Sequence, residues 1–396
     1  MVATLIRLTG DFDLAEDAVQ EAAIVALEQW GVSGVPDNPG AWLTTVARRK
    51  ALDRIRRESS RTARESAAVR LLDEPAGPGD QVAKRPDELR LLFTCCHPAL
   101  NREARIALTL RTLCGLTTSE IARVLLAPEP TVGQRISRAK RKILTARIPY
   151  RVPEDHELPE RLGAVLNVLY IVFTAGHHAA DGTLDSRFGL ADDAIRIARL
   201  ASASFPDEPE VWGLLALMLA THARRGGRVD DAGDVVLLAD QDRAQWDHQA
   251  ITESSRLVEV NLRKRRVGPF QIQAAIASLH GLAPTFQSTD WPQIAELYGF
   301  LERLRPTPVV RVNRAVAVAF ASGPQAGLDL LDATDADRLI EVHGWHLYWS
   351  TRADFLRRLG DHSAAADGYR HALTCPTNDS DRRFLERRLR ETCRAR

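Results

Sequence analysis

The sequence has little of what a disulfide-bonded or metal-dependent protein requires. Its five cysteines are odd in number and scattered, with no C-x-x-C pair, which argues against a disulfide framework or a zinc ribbon. Cys95-Cys96-His97 lacks a second pair of ligands, so buried structural cysteines are the favoured interpretation. The zinc motif H-E-x-x-H is also absent. We therefore expect no metal and no cofactor.

Long apolar runs and strand patterns are scarce as well. The longest apolar run, residues 165–175, is interrupted by Asn167 and is expected to be too short to span a bilayer. No signal peptide is visible at the amino terminus. The first 150 residues contain no strand pattern. These absences predict a cytoplasmic, all-α protein without a membrane partner.

The charges are balanced overall but unevenly distributed. The 396 residues carry a net charge of +1, and this length predicts two or three domains. Residues 1–150 hold 23 Lys and Arg against 18 Asp and Glu, a net of +5, and the remainder holds 30 against 34, a net of −4. The amino-terminal part is therefore the candidate for nucleic-acid binding.

The strongest single signal is a basic helix predicted over residues 131–147. It contains six Lys and Arg and no acidic residue, so its field favours a polyanion. At about 100° per residue, one face carries four apolar residues: Val132, Ile136, Ala139 and Ile143. The neighbouring face carries four polar or basic residues: Thr131, Arg135, Arg138 and Lys142.

A shorter helix precedes this basic helix. The segment Thr117-Thr-Ser-Glu120 has capping-box spacing, and Ala127-Pro-Glu-Pro130 ends that helix and begins the next one. Such a helix-turn-helix places its second helix in a DNA major groove. Taken alone, the pattern is also compatible with an ordinary amphipathic helical hairpin whose basic face is solvated.

A second basic helix is predicted upstream, after a glycine- and proline-rich loop at residues 31–40. Residues 48–64 carry eight Lys and Arg against two acids, a net of +6. The loop and helix together could hold an unstacked base and grip phosphates. The expected packing residues of this helix are Trp42, Val46, Leu52 and Ile55. An acidic helix at residues 13–22 precedes the loop and suits a protein partner, or is simply a solvated face.

Beyond Pro153, successive helices of about 13 to 18 residues are separated by Pro, Gly or Asp, which predicts an α-solenoid. One helical pair is close to the tetratricopeptide pattern. Its characteristic residues are Trp349, Ala353, Leu356, Gly360, Ala365, Tyr369, Ala372 and Pro376.

Four stretches together resemble the extracytoplasmic-function class of bacterial RNA polymerase sigma factors, in the sigma-70 family. They are Asp13-Leu-Ala-Glu-Asp-x-x-Gln-Glu21, Trp42-Leu, Asp53-x-x-Arg56-Arg57 and Thr131-x-x-x-Arg135-x-x-Arg138-Ala-Lys-Arg. The resemblance covers about residues 1–150. The remainder looks like the long tetratricopeptide-like extension of one subgroup of these factors, which implies a regulatory role.

The resemblance implies a domain order and partners. It places sigma region 2 at residues 1–62, a linker at 63–86, sigma region 4 at 87–150 and the extension at 151–396. Core RNA polymerase and promoter DNA are the implied partners, and the protein is not expected to be an enzyme. The extension would bind a regulatory protein or the chain's own amino-terminal half.

The resemblance also implies residue roles. The residues implied to bind polymerase are Glu16, Asp17, Gln20 and Glu21. Those implied to contact the −10 element are Asp37, Asn38, Trp42, Arg48, Arg49, Arg56 and Arg57. Those implied to read the −35 element are Thr131, Gln134, Arg135, Arg138, Arg141 and Lys142.

Three features depart from the family pattern. The first helix is short, so the amino terminus is expected to be truncated. Pro128 stands where a side-chain cap is usual, and Gly133 lies inside the recognition helix at a cost of about 1 kcal/mol relative to Ala.

Two other classes of function remain open. One is a helix-turn-helix transcriptional regulator with a tetratricopeptide-like sensing domain. The other is an enzyme with a metal site in the extension, built from His177, His178, Asp181 and Asp185 or from His343 and His346. Co-purification with core polymerase would separate the sigma factor from both.

Overall fold

The computed structural model describes residues 1–58, 86–177, 185–228, 230, 234, 236–333, 345–377 and 379–395. Within these residues all regular secondary structure is helical, which confirms the all-α prediction. The chain forms two compact units, Met1–Val172 and Phe173–Arg396. The predicted linker, apart from Pro86, lies outside the described residues.

Three helices form the beginning of the first unit: α1 (Val2–Thr9), α2 (Phe12–Ser33) and α3 (Pro39–Glu58). Asp11 caps α2, because its side chain accepts from the backbone N–H groups of Asp13 and Leu14. The buried residues of α2 are mostly alanines, and Ala47 and Ala51 are the buried residues of α3. The expected packing residues of α3 are only half-buried, because the two helices meet through small side chains.

Four more helices complete the part of the first unit that precedes Ile148: α4 (Asp87–Cys95), α5 (Arg102–Thr112), α6 (Thr118–Val124) and α7 (Glu129–Thr145). Cys95 and Cys96 are fully buried between these helices, as predicted. Burial raises the pKa of both thiols, that of Cys96 to about 12, so both are protonated at neutral pH and unreactive.

The two groups of helices pack on each other within the first unit. The Tyr150 hydroxyl lies 2.7 Å from the carbonyl oxygen of Ala3 and 3.1 Å from that of Asp87. Arg7 of α1 pairs with the Asp87 carboxylate at 2.9 Å. Helix α1 is therefore fixed against the start of α4 by polar contacts as well as by its buried Leu5 and Ile6.

Helix α8 (Leu158–His177) is longer than the apolar run that predicts it. Its stretch Leu158–Gly176 is long and apolar enough to cross a membrane by length and composition alone, so the expectation of a run too short for this was wrong. Asn167 does not interrupt the helix, because its amide donates to the carbonyl of Gly163 at 2.7 Å. Core helices of globular proteins pass the same test, and 44% of this stretch is buried in the fold.

The second unit consists of successive helices, as the sequence predicts. They are α9 (Asp185–Ser204), α10 (Pro209–His222), α11 (His248–Leu262), α12 (Pro269–Leu282), α13 (Trp291–Leu304), α14 (Pro308–Ser322), α15 (Pro324–Asp332), α16 (His346–Arg358), α17 (His362–Thr374) and α18 (Asp379–Arg394). Most helices pack on the next one along the chain, and α10 also packs on α12.

The hairpin of α16 and α17 has the contacts that the repeat pattern predicts. Ala353, Ala365, Tyr369 and Ala372 are all buried. Gly360 ends the first helix with φ of +87°, a left-handed conformation that glycine adopts without strain. Small residues at the contact allow the two helices to approach closely. A tetratricopeptide-like classification of the whole extension stays a prediction.

Candidate nucleic-acid interface

The predicted helix-turn-helix is built by α6 and α7. The capping box is present, because Thr117 accepts from the Glu120 N–H at 3.2 Å while Glu120 accepts from the Thr117 N–H at 2.8 Å. These hydrogen bonds lower the pKa of Glu120. Leu126 makes the turn with φ of +49°, and Pro128 precedes α7 without a side-chain cap, as its residue type dictates.

The two faces of α7 separate as the sequence predicts. The four predicted apolar residues, Val132, Ile136, Ala139 and Ile143, are all buried. The six residues implied to read DNA lie on the outer side. Gln134, Arg138, Arg141 and Lys142 are exposed, and Thr131 and Arg135 are half-buried. The basic face of this helix is therefore accessible to a duplex.

A groove of about 520 Å³ lies between this basic face and the start of α5. Arg135, Arg138 and Lys142 line one side, and Asn101 and Ala104 line the other. Asn101 caps α5, since its side chain accepts from the Ala104 N–H at 2.8 Å. The groove thus combines three cations with a helix N-terminus, and both features favour a phosphate.

Lys140 also lies on α7 but faces inward. Its ammonium is 2.8 Å from Asp13 and 2.9 Å from Glu16 of α2, and only 9% of its side chain is exposed. Burial would lower the pKa of Lys140, but the two carboxylates outweigh it and raise the pKa. Arg111 of α5 holds the other oxygen of Glu16 at 3.3 Å. The helix that carries the DNA-reading face is therefore tied to the acidic helix.

The acidic face of α2 is occupied by cations of the chain itself. Asp17 pairs with Arg54 at 2.7 Å and Glu21 with Lys50 at 3.5 Å. These two acids remain about half exposed, whereas Glu16 is only 15% exposed. Gln20 is exposed. Of the four residues implied to bind polymerase, Glu16 is the least accessible in this conformation.

The loop before α3 has a structural role at one predicted position. Asn38 caps α3, because its side chain accepts from the Ala41 N–H at 3.0 Å. Asp37 is exposed. The Trp42 ring lies 5.5 Å from that of Trp30 on α2, so a pair of indoles stands beside the loop where one was expected.

The basic residues of α3 line its outer side. Arg49, Arg56 and Arg57 are exposed, and Arg48 is half-buried. Arg56 lies 3.9 Å from Asp53, one turn away. Such an exposed ion pair contributes little to the stability of the fold. The guanidinium of Arg56 can therefore exchange Asp53 for a phosphate.

The sequence does not single out Lys140, Arg111 or Trp30 as site residues. Lys140 stands four residues after Ile136, on the buried side of α7, so the helical period itself could have placed it. Arg111 and Trp30 carry no such signal because their partners are distant in sequence. The alternative metal sites include His178, Asp181 and His343, and these three residues lie outside the described part of the chain.

Three family models match the chain in order. Sigma-70 region 2 matches residues 1–61, Sigma-70 region 4 matches residues 90–143, and a family of unknown function, DUF6596, matches residues 161–262. The ECF RNA polymerase sigma factor SigL of Mycobacterium tuberculosis (strain H37Rv) is 34% identical over 144 residues, which are 35% of this chain and 77% of SigL. The chain belongs to the ECF sigma factors. This family of transcription initiation factors is not catalytic.

Two further relatives show how far the similarity extends. An uncharacterized protein of Rhizobium meliloti (strain 1021) is 42% identical over 393 residues, covering 98% of this chain and 92% of that protein. The probable ECF sigma factor SigI of M. tuberculosis is 32% identical over 167 residues, 41% of this chain and 57% of SigI. No solved structure matches this ECF factor at a significant level.

Proposed function

We propose that this ECF factor binds core RNA polymerase and directs initiation at promoters that it recognises through −10 and −35 elements. The observation that carries the proposal is the exposed basic face of α7 on a capped helix-turn-helix, in one chain with the acidic α2 and basic α3. A simple regulator needs only the first of these features.

The −35 element is assigned to the outer face of α7. Arg135 and Arg138 can donate bidentately to guanine. The groove beside them suits the adjoining phosphate, because Lys142 and the N-terminus of α5 face the same space. In this assignment Thr131, Gln134 and Arg141 complete the contact surface. The groove positions the helix on the backbone, and the arginines read the bases.

The −10 element is assigned to the loop before α3 and to α3 itself. Arg48, Arg49, Arg56 and Arg57 would hold the phosphates. The pair of Trp30 and Trp42 offers aromatic faces on which an unstacked base can stack. Asp37 and Asn38 would contact the flipped base. Because Asn38 already uses its side-chain oxygen to cap α3, its amide group remains as the donor.

Polymerase is assigned to the acidic face of α2, and this assignment requires a rearrangement. Lys140 of α7 and Arg111 of α5 both pair with Glu16 of α2. We call this set of ion pairs the closed contact. Positions −35 and −10 are 25 base pairs apart, about 85 Å along a duplex at 3.4 Å per step. The 27 residues from 59 to 85 can extend to about 90 Å. We infer that the closed contact opens when promoter DNA is bound.

We assign the carboxy-terminal extension a regulatory role. It constitutes more than half of the chain, and its net charge of −4 is opposite to the +5 of residues 1–150. A tetratricopeptide-like stack of helices would bind a protein segment, either of a regulatory partner or of the chain's own amino-terminal half. Any attraction between the two charges would weaken with salt.

Co-purification with core RNA polymerase tests the proposal. The wild-type chain should be retained by immobilised core enzyme, and the double variant Asp17→Lys with Gln20→Lys should be retained at least tenfold less. Glu160→Lys, an exposed charge reversal on α8, serves as the control and should bind as the wild type does. Equal retention of the double variant would remove polymerase binding from this face. No retention of the wild type, together with specific binding to duplex DNA alone, would support a helix-turn-helix regulator instead.

A further inference from the structure

Three arginines of the second unit gather in the segment that follows α10. The guanidinium carbons of Arg224 and Arg243 lie 5.9 Å and 4.5 Å from the ring centroid of Trp246. Burial, and then the positive charges of Arg228 and Arg243, lower the pKa of Arg224 to about 10. Arg224 and Arg243 therefore lie beside the same indole ring, and Arg228 is close enough to add to the positive charge around Arg224.

Burial lowers the pKa of Arg228, and the nearby carboxylate of Asp381 opposes this shift. No described Asp or Glu oxygen lies within 4.0 Å of a guanidinium nitrogen of Arg224, Arg228 or Arg243. Other arginines of the same unit are paired. Arg199 holds Glu253 at 2.7 Å, and Arg314 holds Glu302 at 2.7 Å. The fold therefore supplies carboxylates to several arginines, but no described carboxylate pairs with Arg224 or Arg243.

The cluster also keeps buried donors without acceptors. The Nε of Arg224 and the Nη2 of Arg243 are buried and find no acceptor among the described residues. Arg243 is held in place by its Nη1, which lies 2.7 Å from the carbonyl oxygen of His280 and 2.6 Å from that of Ala283. A guanidinium fixed in this way keeps its remaining N–H groups in one orientation.

The neighbouring histidine does not compensate for the charge. Burial and the charges of Arg224 and Arg243 lower the pKa of His280 to about 4, so its imidazole is neutral at pH 7. The cluster thus places Arg224 and Arg243 beside a neutral histidine and an indole, whereas Arg228 has the Asp381 carboxylate near it. Burying unpaired charges is costly, and an anionic group would offset this cost.

We propose that Arg224 and Arg243 form a binding site for an oxyanionic group, either a carboxylate or a phosphate. The planar guanidinium fork matches both groups through two parallel N–H···O hydrogen bonds. Arg243 would serve as the fixed donor, and Arg224 would contribute its buried Nε. This site lies outside the helices assigned to DNA, and it does not depend on the proposed function.

The test titrates the full-length protein with sodium phosphate and, separately, with sodium acetate at matched ionic strength, using isothermal calorimetry. Because phosphate is also expected to bind the basic helices of the first unit, the comparison is between variants. Arg224→Gln should weaken binding of the preferred anion at least tenfold. Arg352→Gln is the matched control, since Arg352 is paired with Asp332 at 3.1 Å, and it should bind as the wild type does.

Arg224→Lys provides a second comparison if Arg224→Gln loses its helical circular dichroism. Lysine keeps the positive charge but cannot form the two parallel hydrogen bonds of a guanidinium, so anion binding should still weaken several-fold. A loss with phosphate identifies a phosphate site, and a loss with acetate alone identifies a carboxylate site. The proposal is overturned if neither anion binds the wild type, or if the folded Arg224 variants bind both anions with wild-type affinity.

Discussion

Lys140 and Arg138 are two residues apart on α7 but have different partners. Lys140 points to Asp13 and Glu16, with nitrogen–oxygen distances of 2.8 and 2.9 Å. Arg138 is exposed and lines the groove beside α5. Two cations of one basic helix therefore have separate roles, one in the closed contact and one at the DNA surface.

We predict that Arg138→Ala and Lys140→Met have opposite consequences for −35 binding. Arg138→Ala should cost about 1 to 3 kcal/mol if the side chain contacts a base edge. Lys140→Met should bind the same duplex at least as well as the wild type, because it weakens the closed contact and removes no DNA contact. Fluorescence anisotropy with a −35 duplex at constant salt measures both.

The result for Lys140 decides between two placements of this residue. If Lys140→Met weakens DNA binding as much as Arg138→Ala does, Lys140 faces DNA in the active conformation. If Arg138→Ala binds as tightly as the wild type, the reading face of α7 has been assigned wrongly.

His280 gives a pH-dependent contribution to stability. Its pKa is about 4 in the fold, below the value of about 6.5 for an unfolded histidine. The unfolded chain therefore binds the proton first as the pH falls, and stability is lost between about pH 6.5 and pH 4. His280→Gln should reduce this loss by an amount on the order of 3 kcal/mol. Urea unfolding at several pH values measures it, and an unchanged slope between these pH values would contradict the assignment.

At the scale of elements, α10 and α12 approach through a glycine. A Cβ atom on Gly213 would lie 2.7 Å from the backbone nitrogen of Gln271 and 3.0 Å from its Cα. Because backbone atoms cannot move aside as a flexible side chain can, this contact requires glycine. Gly163 is also inside a helix, but a Cβ there would meet no atom within 4 Å.

These two glycines provide a matched pair of substitutions. Gly213→Ala should destabilise the second unit by about 1 to 3 kcal/mol, because it overpacks the contact between the helices. Gly163→Ala should stabilise α8 by about 1 kcal/mol, because alanine has the higher helix propensity. Thermal unfolding followed by circular dichroism compares them. A neutral Gly213→Ala would mean that the two helices pack less closely than described.

Local sequence patterns predict most helices, because the start and the buried face of a helix depend on residues that are close in sequence. The capping box of α6 and the apolar face of α7 follow from residue type and from the helical period, and both are confirmed. The packing of α3 does not follow from the same rules. The sequence favours its large residues, such as Trp42 and Ile55, but the helix buries Ala47 and Ala51. Which face is buried depends on the alanines of α2, and those lie in another element.

At the scale of the molecule, the first unit extends beyond the predicted region 4 boundary. It ends at Val172, and Arg161 of α8 donates to the carbonyl of Phe93 at 2.8 Å. The closed contact likewise joins Asp13 to Lys140, residues separated by 127 positions. Contacts of this range cannot be read from local periodicity, because nothing in either segment specifies its partner.

We predict that residues 1–172 are the smallest folded version of the DNA-binding half. This fragment should keep its helical content and bind a −35 duplex, whereas residues 1–150 should be less stable because they lack Arg161 and the buried face of α8. Promoter-specific transcription by the 1–172 fragment should differ from that of the full chain if the extension regulates initiation. Equal transcription at the same salt and concentration would show that the extension does not act on initiation directly.

The most direct measurement is run-off transcription with purified core RNA polymerase and genomic promoter fragments. We predict discrete transcripts that require this chain, that persist with Lys140→Met and that are lost or strongly reduced with Arg138→Ala. Specific binding of the chain to duplex DNA without any transcript, in the presence of active core enzyme, would contradict it.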